Sequence, residues 1–191
     1  RHIDYRTQKP YIEYMKSKSL KPVSKPVYLD ATIKLSPSNP FSITHHSQVG
    51  KQTSSLVRTN ALIIGLCVQG EGSIQVEKKI TPVSKGAVYV VNQDEGIAFS
   101  SSSNELFEFD IIYCNPEHLF LRFRGLHLLD LGVEKWKGRD FKNVLPPGLA
   151  KEAERLIALI TEESVRKARD YEVIVISLLV SLLCVISRGL E

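Results

Sequence analysis

Few residues of this 191-residue chain have the type and spacing that chemistry requires, so those few are the place to begin. His45 and His46 are adjacent, and a metal site needs ligands that converge. If they lie in a strand, their side chains leave on opposite faces. Cys67, Cys114 and Cys184 are odd in number, far apart and embedded in apolar runs, which reads as reduced core thiols of a cytoplasmic protein. His118 and His127 flank an apolar stretch and read as capping or surface residues. No nucleophile elbow, phosphate-binding glycine loop or motif-placed Ser–His or Cys–His pair is present. Gly70-Glu71-Gly72 lies between two strand-like runs rather than before a helix, so a hairpin turn is expected there. These residues point to no catalytic metal, no cofactor and no enzymatic activity.

The elements that would position such residues show in the patterning. The chain is 43% apolar and 24% charged, the composition of an ordinary globular protein. A chain of this length buries roughly 70% of its unfolded surface and can stand without disulfide or metal staples. Residues 1–40 hold five of the nine prolines with many lysines and serines, as an arm or linker does. The expected units are this arm, a β-barrel over residues 41–145 and a helical segment over 146–189. Strands are expected at Phe41 to Thr44, Ala61 to Val68, Ser73 to Lys79, Ala87 to Val91 and Leu106 to Tyr113. In the last of these Phe107 and Phe109 alternate with Glu108 and Asp110, as in a half-buried strand.

After the breaker Pro146-Pro147-Gly148, apolar residues Leu149, Ala153, Leu156, Ile157 and Ile160 recur at helical spacing. Glu162 with Arg166 and Glu163 with Lys167 are favourable pairs four apart. A second helix is expected over Tyr171 to Ser187. Its apolar stretch Val173 to Ile186 is broken by two serines and is shorter than the about 20 residues a bilayer requires, so it reads as a buried helix. The polar, basic start carries no secretory signal pattern. A net charge of +4, from 25 basic and 21 acidic residues without a long basic run, gives little support to direct nucleic-acid binding.

The run Leu62-Ile63-Ile64-Gly65-Leu66-Cys67-Val68-Gln69-Gly70-Glu71-Gly72, followed by Gly86-Ala87-Val88-Tyr89-Val90-Val91-Asn92, resembles the cupin barrel. The resemblance implies a mainly β fold with some α, a cupin-like double-stranded β-helix or jelly-roll barrel followed by two C-terminal helices. Metal-binding cupins carry histidines and a glutamate at places that count here onto Thr59, Ala61, Gly65 and Ile97. None of these can ligate a metal, so the resemblance implies a metal-free barrel. With Asn115-Pro116 after the last long strand and an apolar final helix, the chain from about Phe41 to Arg188 resembles the ligand-sensing and dimerisation part of AraC-type transcription regulators. Such regulators continue into helix-turn-helix units that contact DNA. The terminal Leu190-Glu191 has the look of a cloning scar, so DNA contact is expected only through a missing C-terminal domain.

By the same resemblance, positions that line the barrel count onto Ser54, Phe99, Phe109 and Ile111, with Arg58 and His46 as polar candidates at the mouth. These walls are apolar, so the expected small-molecule effector is apolar or aromatic rather than a sugar, and a barrel filled by its own core is the alternative. Tyr11, Tyr14 and Tyr28 of the arm could close over that mouth or simply lie along the surface. A homodimer is expected through the last helix, at Val173, Ile174, Ser177, Ser181 and Cys184, with the serines bonding back to the preceding turn as the competing expectation. Two other functions compete: a stand-alone cupin-type enzyme and a purely structural oligomerisation module.

Overall fold

The structure is a computed structural model and describes residues 33–101, 104–122 and 144–189. The arm tyrosines, His127 and Leu190-Glu191 lie outside the described residues. The chain order is β1 (Phe41–Val49), β2 (Val57–Arg58), β3 (Leu62–Gln69), β4 (Glu71–Val76), β5 (Lys79–Ser84), β6 (Val88–Val91), β7 (Gly96–Ser101) and β8 (Leu106–Cys114). Helices α1 (Pro116–Arg122), α2 (Pro147–Arg166) and α3 (Tyr171–Arg188) follow.

Eight strands form two antiparallel four-stranded sheets, ordered β1-β8-β3-β6 and β2-β7-β4-β5. The chain crosses repeatedly from one sheet to the other, and this order is that of a jelly-roll barrel. The expected barrel followed by helices is therefore what the chain builds. The five expected strands match β1, β3, β4, β6 and β8 in place, although β1 runs on to Val49 and β4 stops at Val76. Glu77, at φ +53, turns the chain into β5, with Val76 opposite Lys79. Thus the expected strand Ser73 to Lys79 spans a turn. The short strand β2, and β5 and β7, were not expected.

Gly70-Glu71-Gly72 is not a hairpin. β3 and β4 belong to different sheets, and Gly70, at φ +83, carries the chain around the corner between them. A Cβ at Gly70 would lie 2.3 Å from the Leu106 carbonyl oxygen, so both the conformation and the close approach require glycine there.

Period-2 alternation divides the apolar residues between two cores. Ile63, Cys67, Tyr89, Val91, Phe107, Phe109, Ile111 and Tyr113 fill the barrel between the sheets, together with Ile74, Val76, Val83, Ile97 and Phe99 from the second sheet. Their neighbours along the strands, Leu62, Ile64, Leu66, Val88, Val90, Ile112 and Cys114, point the other way. They meet Ala150, Ala153, Ile157 and Ile160 of α2 and Val175, Ile176, Leu179, Leu182, Leu183, Val185 and Ile186 of α3. Ile33 and Leu35 pack against the inner core, so the barrel unit begins before residue 41 and the arm's end belongs to it.

Helix α2 starts with Pro147 in its first turn, a position where a missing N–H costs nothing. It ends at Lys167, whose φ of +46 stops the helix and whose N–H donates to the Glu163 carbonyl. Arg166 pairs with Glu162 at 2.5 Å and approaches Glu163 at 3.9 Å. Glu163 is therefore served by Arg166 rather than by Lys167, because the helix has ended before the expected partner. Helix α3 is by length and composition apolar enough to cross a membrane. It instead lays one side on α2 and the sheet and leaves a stripe exposed.

Candidate ligand-binding site

Register fixes which side chains enter the barrel. β8 brings Phe109 and Ile111 onto the inner face, and Ile74 of β4 lies opposite Phe99 of β7. Phe99, Phe109 and Ile111 are all fully buried in one cluster. The Phe99 and Phe109 rings lie 4.6 Å apart, tilted by 34°, while Phe107 meets Phe109 edge-on at 4.3 Å. The structure thus unites three of the expected lining residues. Ser54 stands behind them: its Oγ accepts the Phe99 N–H at 2.8 Å, and its own N–H donates to the Phe99 carbonyl at 2.8 Å. Its hydroxyl also donates to the Ser55 carbonyl at 3.3 Å, so its polar capacity holds β7 rather than facing the chamber.

Arg58 is apart from this cluster. Its guanidinium grips Glu77 through two hydrogen bonds of 2.5 and 2.7 Å and donates to the Asp94 carbonyl at 2.6 Å. Glu77 in turn accepts the Gly96 N–H at 2.6 Å, and Arg58 holds its carboxyl below the usual range. This network ties β2, β7 and the β4–β5 turn together on the outside. Arg58 also lines an open recess of about 490 Å³ with Ile33, Leu35, Thr59, Asn60 and Asp94, and Ile33 and Leu35 of that recess pack on the inner core.

His45 and His46 do point apart. His46, opposite Phe109, lies on the inner side and its Nε2 meets Thr44 Oγ1 at 2.8 Å. His45 is on the outer side, with Nδ1 2.8 Å from Asp110 Oδ1 and Nε2 3.8 Å from Glu108 Oε1. The hydrogen bond to the Asp110 carboxylate holds the imidazole pKa above its usual 6.5, against the opposing effect of burial. His118 sits in the first turn of α1, and its backbone N–H donates to the Asn115 side chain at 3.2 Å, a capping contact.

The positions that count onto the ligands of metal-binding cupins carry no ligand here. Ala61 and Ile97 are buried apolar residues of the inner core, and the Thr59 hydroxyl accepts the Ala61 N–H at 3.1 Å. At Gly65 the space a side chain would use is filled by Tyr89: a Cβ would lie 1.9 Å from its ring. Among the described residues, no three His, Cys, Asp or Glu side chains are grouped to hold an ion. The inner thiol of Cys67 is pushed up to about 11 by burial, and Cys114 on the outer side to about 12, so neither is a ready nucleophile or ligand at neutral pH.

Tyr89 is the inner residue that sequence reasoning missed. It is fully buried, stands opposite Gly65 in the β3–β6 register and meets the Phe99 ring edge-on at 5.7 Å. The signal was present as the inward position of an alternating strand opposite a glycine, but it requires the register of two strands to be known.

On α3 the expected interface residues share one face. Val173 is 62% and Ile174 42% exposed; Ser177 and Ser181 are exposed and Cys184 is half-buried. Both serines also bond back, Ser177 Oγ to the Val173 carbonyl at 2.8 Å and Ser181 Oγ to the Ser177 carbonyl at 3.1 Å. Their hydroxyl donors are thereby spent within the helix, leaving a smooth stripe of small side chains bordered by two exposed aliphatics.

A jelly-roll barrel with an aromatic, donor-poor interior and a helical layer on one sheet defines a binding domain of the cupin type. A family model described as the AraC-like ligand binding domain matches residues 45–181, and the chain belongs to that family. No curated protein matches the chain. Among solved structures, it is similar to the cupin domain of Cnp3 from Schizosaccharomyces pombe, at 10% identity and a TM-score of 0.40, over 44% of this chain and 62% of that one. An RmlC-like cupin family protein from Methanocaldococcus jannaschii gives 14% identity and a TM-score of 0.38, over 44% of this chain and 76% of that one. A protein from Thermotoga maritima described as a predicted oxalate decarboxylase gives 18% identity and a TM-score of 0.36, over 38% and 64%. The matched region spans less than two thirds of the Thermotoga and Schizosaccharomyces chains.

Proposed function

We propose that this chain is the effector-sensing and dimerisation part of a cytoplasmic transcription regulator, without enzymatic activity of its own. The observation that carries this reading is the extent of the family match: residues 45–181 take in the barrel, α2 and the exposed face of α3 as far as Ser181. A sensing chamber and a pairing helix are, in this reading, joined in one unit. In this reading the effector lies among Phe99, Phe109 and Ile111, and Ser54 steadies the strand that carries Phe99. The walls suit an apolar or aromatic molecule, because sugar hydroxyls would lose their hydrogen bonds there, at about 1–3 kcal/mol each. In this reading DNA is contacted by a helix-turn-helix unit of the regulator.

Dimerisation belongs to the α3 stripe of Val173, Ile174, Ser177, Ser181 and Cys184. Small residues allow two helices to approach closely, and the exposed Val173 and Ile174 supply apolar area that water otherwise covers. Two measurements test the reading. Thermal-shift screening should return stabilisation by small aromatic compounds that is lost in Phe99→Ala, whereas tight binding of a pentose or hexose would overturn the effector class. Sedimentation should show a dimer for the wild-type chain and a folded monomer for Ser181→Arg; a dimeric variant would move the interface elsewhere.

A further inference from the structure

The barrel interior contains a buried hydroxyl that nothing in the fold explains. Tyr89 is completely buried, and its hydroxyl oxygen has no hydrogen-bond partner. Burial also raises its pKa well above the usual phenol value, so it remains a neutral donor. A phenylalanine would fill the same apolar volume without stranding a hydroxyl, and a stranded buried hydroxyl is destabilising. The fold is nevertheless shaped around this ring. Gly65, opposite Tyr89, has no side chain, and a Cβ there would fall 2.1 Å from the tyrosine oxygen. The glycine therefore lets the ring lie over the sheet and sets its hydroxyl within the inner core.

The surroundings decide what could use that donor. Ile63, Cys67, Val91, Phe99, Phe109 and Ile111 of the inner core carry no charge, and the charge felt at Tyr89 is the negative one of Asp110. His46, opposite Phe109, is engaged with Thr44. An anionic ligand group would be buried there without a counter-charge, which is far costlier than burying a neutral acceptor. Aromatic rings at edge-on and tilted angles suit a flat apolar body.

Resting on the barrel as the effector site, we propose that Tyr89 is its specificity-determining residue, donating a hydrogen bond to a single neutral oxygen acceptor on an otherwise apolar, aromatic effector. The acceptor is of the ketone, aldehyde or ester kind.

Acetophenone, ethylbenzene and benzoate form a suitable probe set, titrated calorimetrically into the 191-residue chain and its variants. Acetophenone should bind the wild-type chain about five- to tenfold more tightly than ethylbenzene, the usual worth of one hydrogen bond, and benzoate more weakly than acetophenone. Tyr89→Phe should bring acetophenone and ethylbenzene to within about twofold, leave ethylbenzene affinity unchanged, and melt at or above the wild-type temperature because the stranded hydroxyl is gone. The wild-type rank order tests the same point without any substitution. If the probes bind and Phe99→Ala abolishes binding, but acetophenone keeps its advantage in Tyr89→Phe or never had one, the role of Tyr89 is overturned while the barrel remains the site. Benzoate binding most tightly overturns the neutral effector class. If none of the three binds, or Phe99→Ala leaves their binding intact, the barrel as effector site falls and this inference with it. A Tyr89→Phe chain that melts lower, with no probe bound by either form, shows the hydroxyl to serve an internal water instead.

Discussion

The two apolar cores share a sheet yet are built from different materials. The outer one, between β1-β8-β3-β6 and the helices, is almost wholly aliphatic, with leucines and isoleucines from α2 and α3 against Leu62, Ile64 and Leu66. The inner one concentrates rings: Tyr89, Phe99, Phe107, Phe109 and Tyr113 all lie in it. Flexible aliphatic chains interdigitate and leave little unspent; rings of fixed shape pack by their edges, and here they bring a buried hydroxyl with them. The outer core is that of a structural joint, and the inner one carries the aromatic rings on which the proposed effector site rests.

The contrast can be broken most severely at Gly65. Its alanine variant drives a methyl group into the Tyr89 ring, and the backbone of a central strand has little room to give. A loss of about 3 kcal/mol in chemical denaturation is expected, with much of it restored when Tyr89→Leu is added; a Gly65→Ala chain as stable as wild type would mean that the inner core yields easily. Leu179→Ala, in the outer core, should cost about 2–4 kcal/mol through the cavity it leaves and should leave probe binding untouched. An equal loss of binding would show the two cores to be one functional unit.

A smaller effect is expected at the sheet's outer edge. His45 carries the positive charge beside Asp110 and Glu108, and its folded-state pKa lies above 6.5. The stabilisation is therefore complete below about pH 6.5 and is lost as pH rises through the higher folded-state value. The melting temperature of the wild-type chain should fall relative to that of His45→Asn between near-neutral and mildly alkaline pH. Parallel curves would remove the imidazole from the stability balance. The least change is expected from Arg58→Ala, which opens an exposed network but touches none of the inner rings. Probe affinity should stay within about twofold, since exposed ion pairs contribute little; a tenfold loss would restore Arg58 to the effector site.

Much of the inner core was legible because β8 advertises it: Phe107 and Phe109 alternate with charged neighbours, and Phe99, Phe109 and Ile111 do meet in the barrel. The strands that went unread are those whose residues look unlike a half-buried strand. β2 has two residues, and β5 exposes Ile80 and carries Pro82 within its run. Ile33 and Leu35 are isolated apolar residues in a polar stretch, and only the folded barrel reveals what they pack against. Gly70 was read as a turn, as it is, but local sequence cannot say whether a turn joins two paired strands or two different sheets. Tyr89 was hidden for a related reason, because its significance depends on Gly65, which the register places opposite it.

Strand β3, like β6 and β8, belongs to both cores. β3 lies between β8 and β6, so neighbours cover both of its hydrogen-bonding edges, while Leu62, Ile64 and Leu66 enter one core and Ile63 and Cys67 the other. No local fraying can expose its amides, since opening them requires two sheets and the helical layer to part together. Their deuterium exchange is thereby a clock for the global unfolding free energy of the domain. Ligand binding to the folded chain slows that clock by the factor 1 + [L]/Kd, so the β3 amides can weigh an effector's affinity without any label on the effector itself.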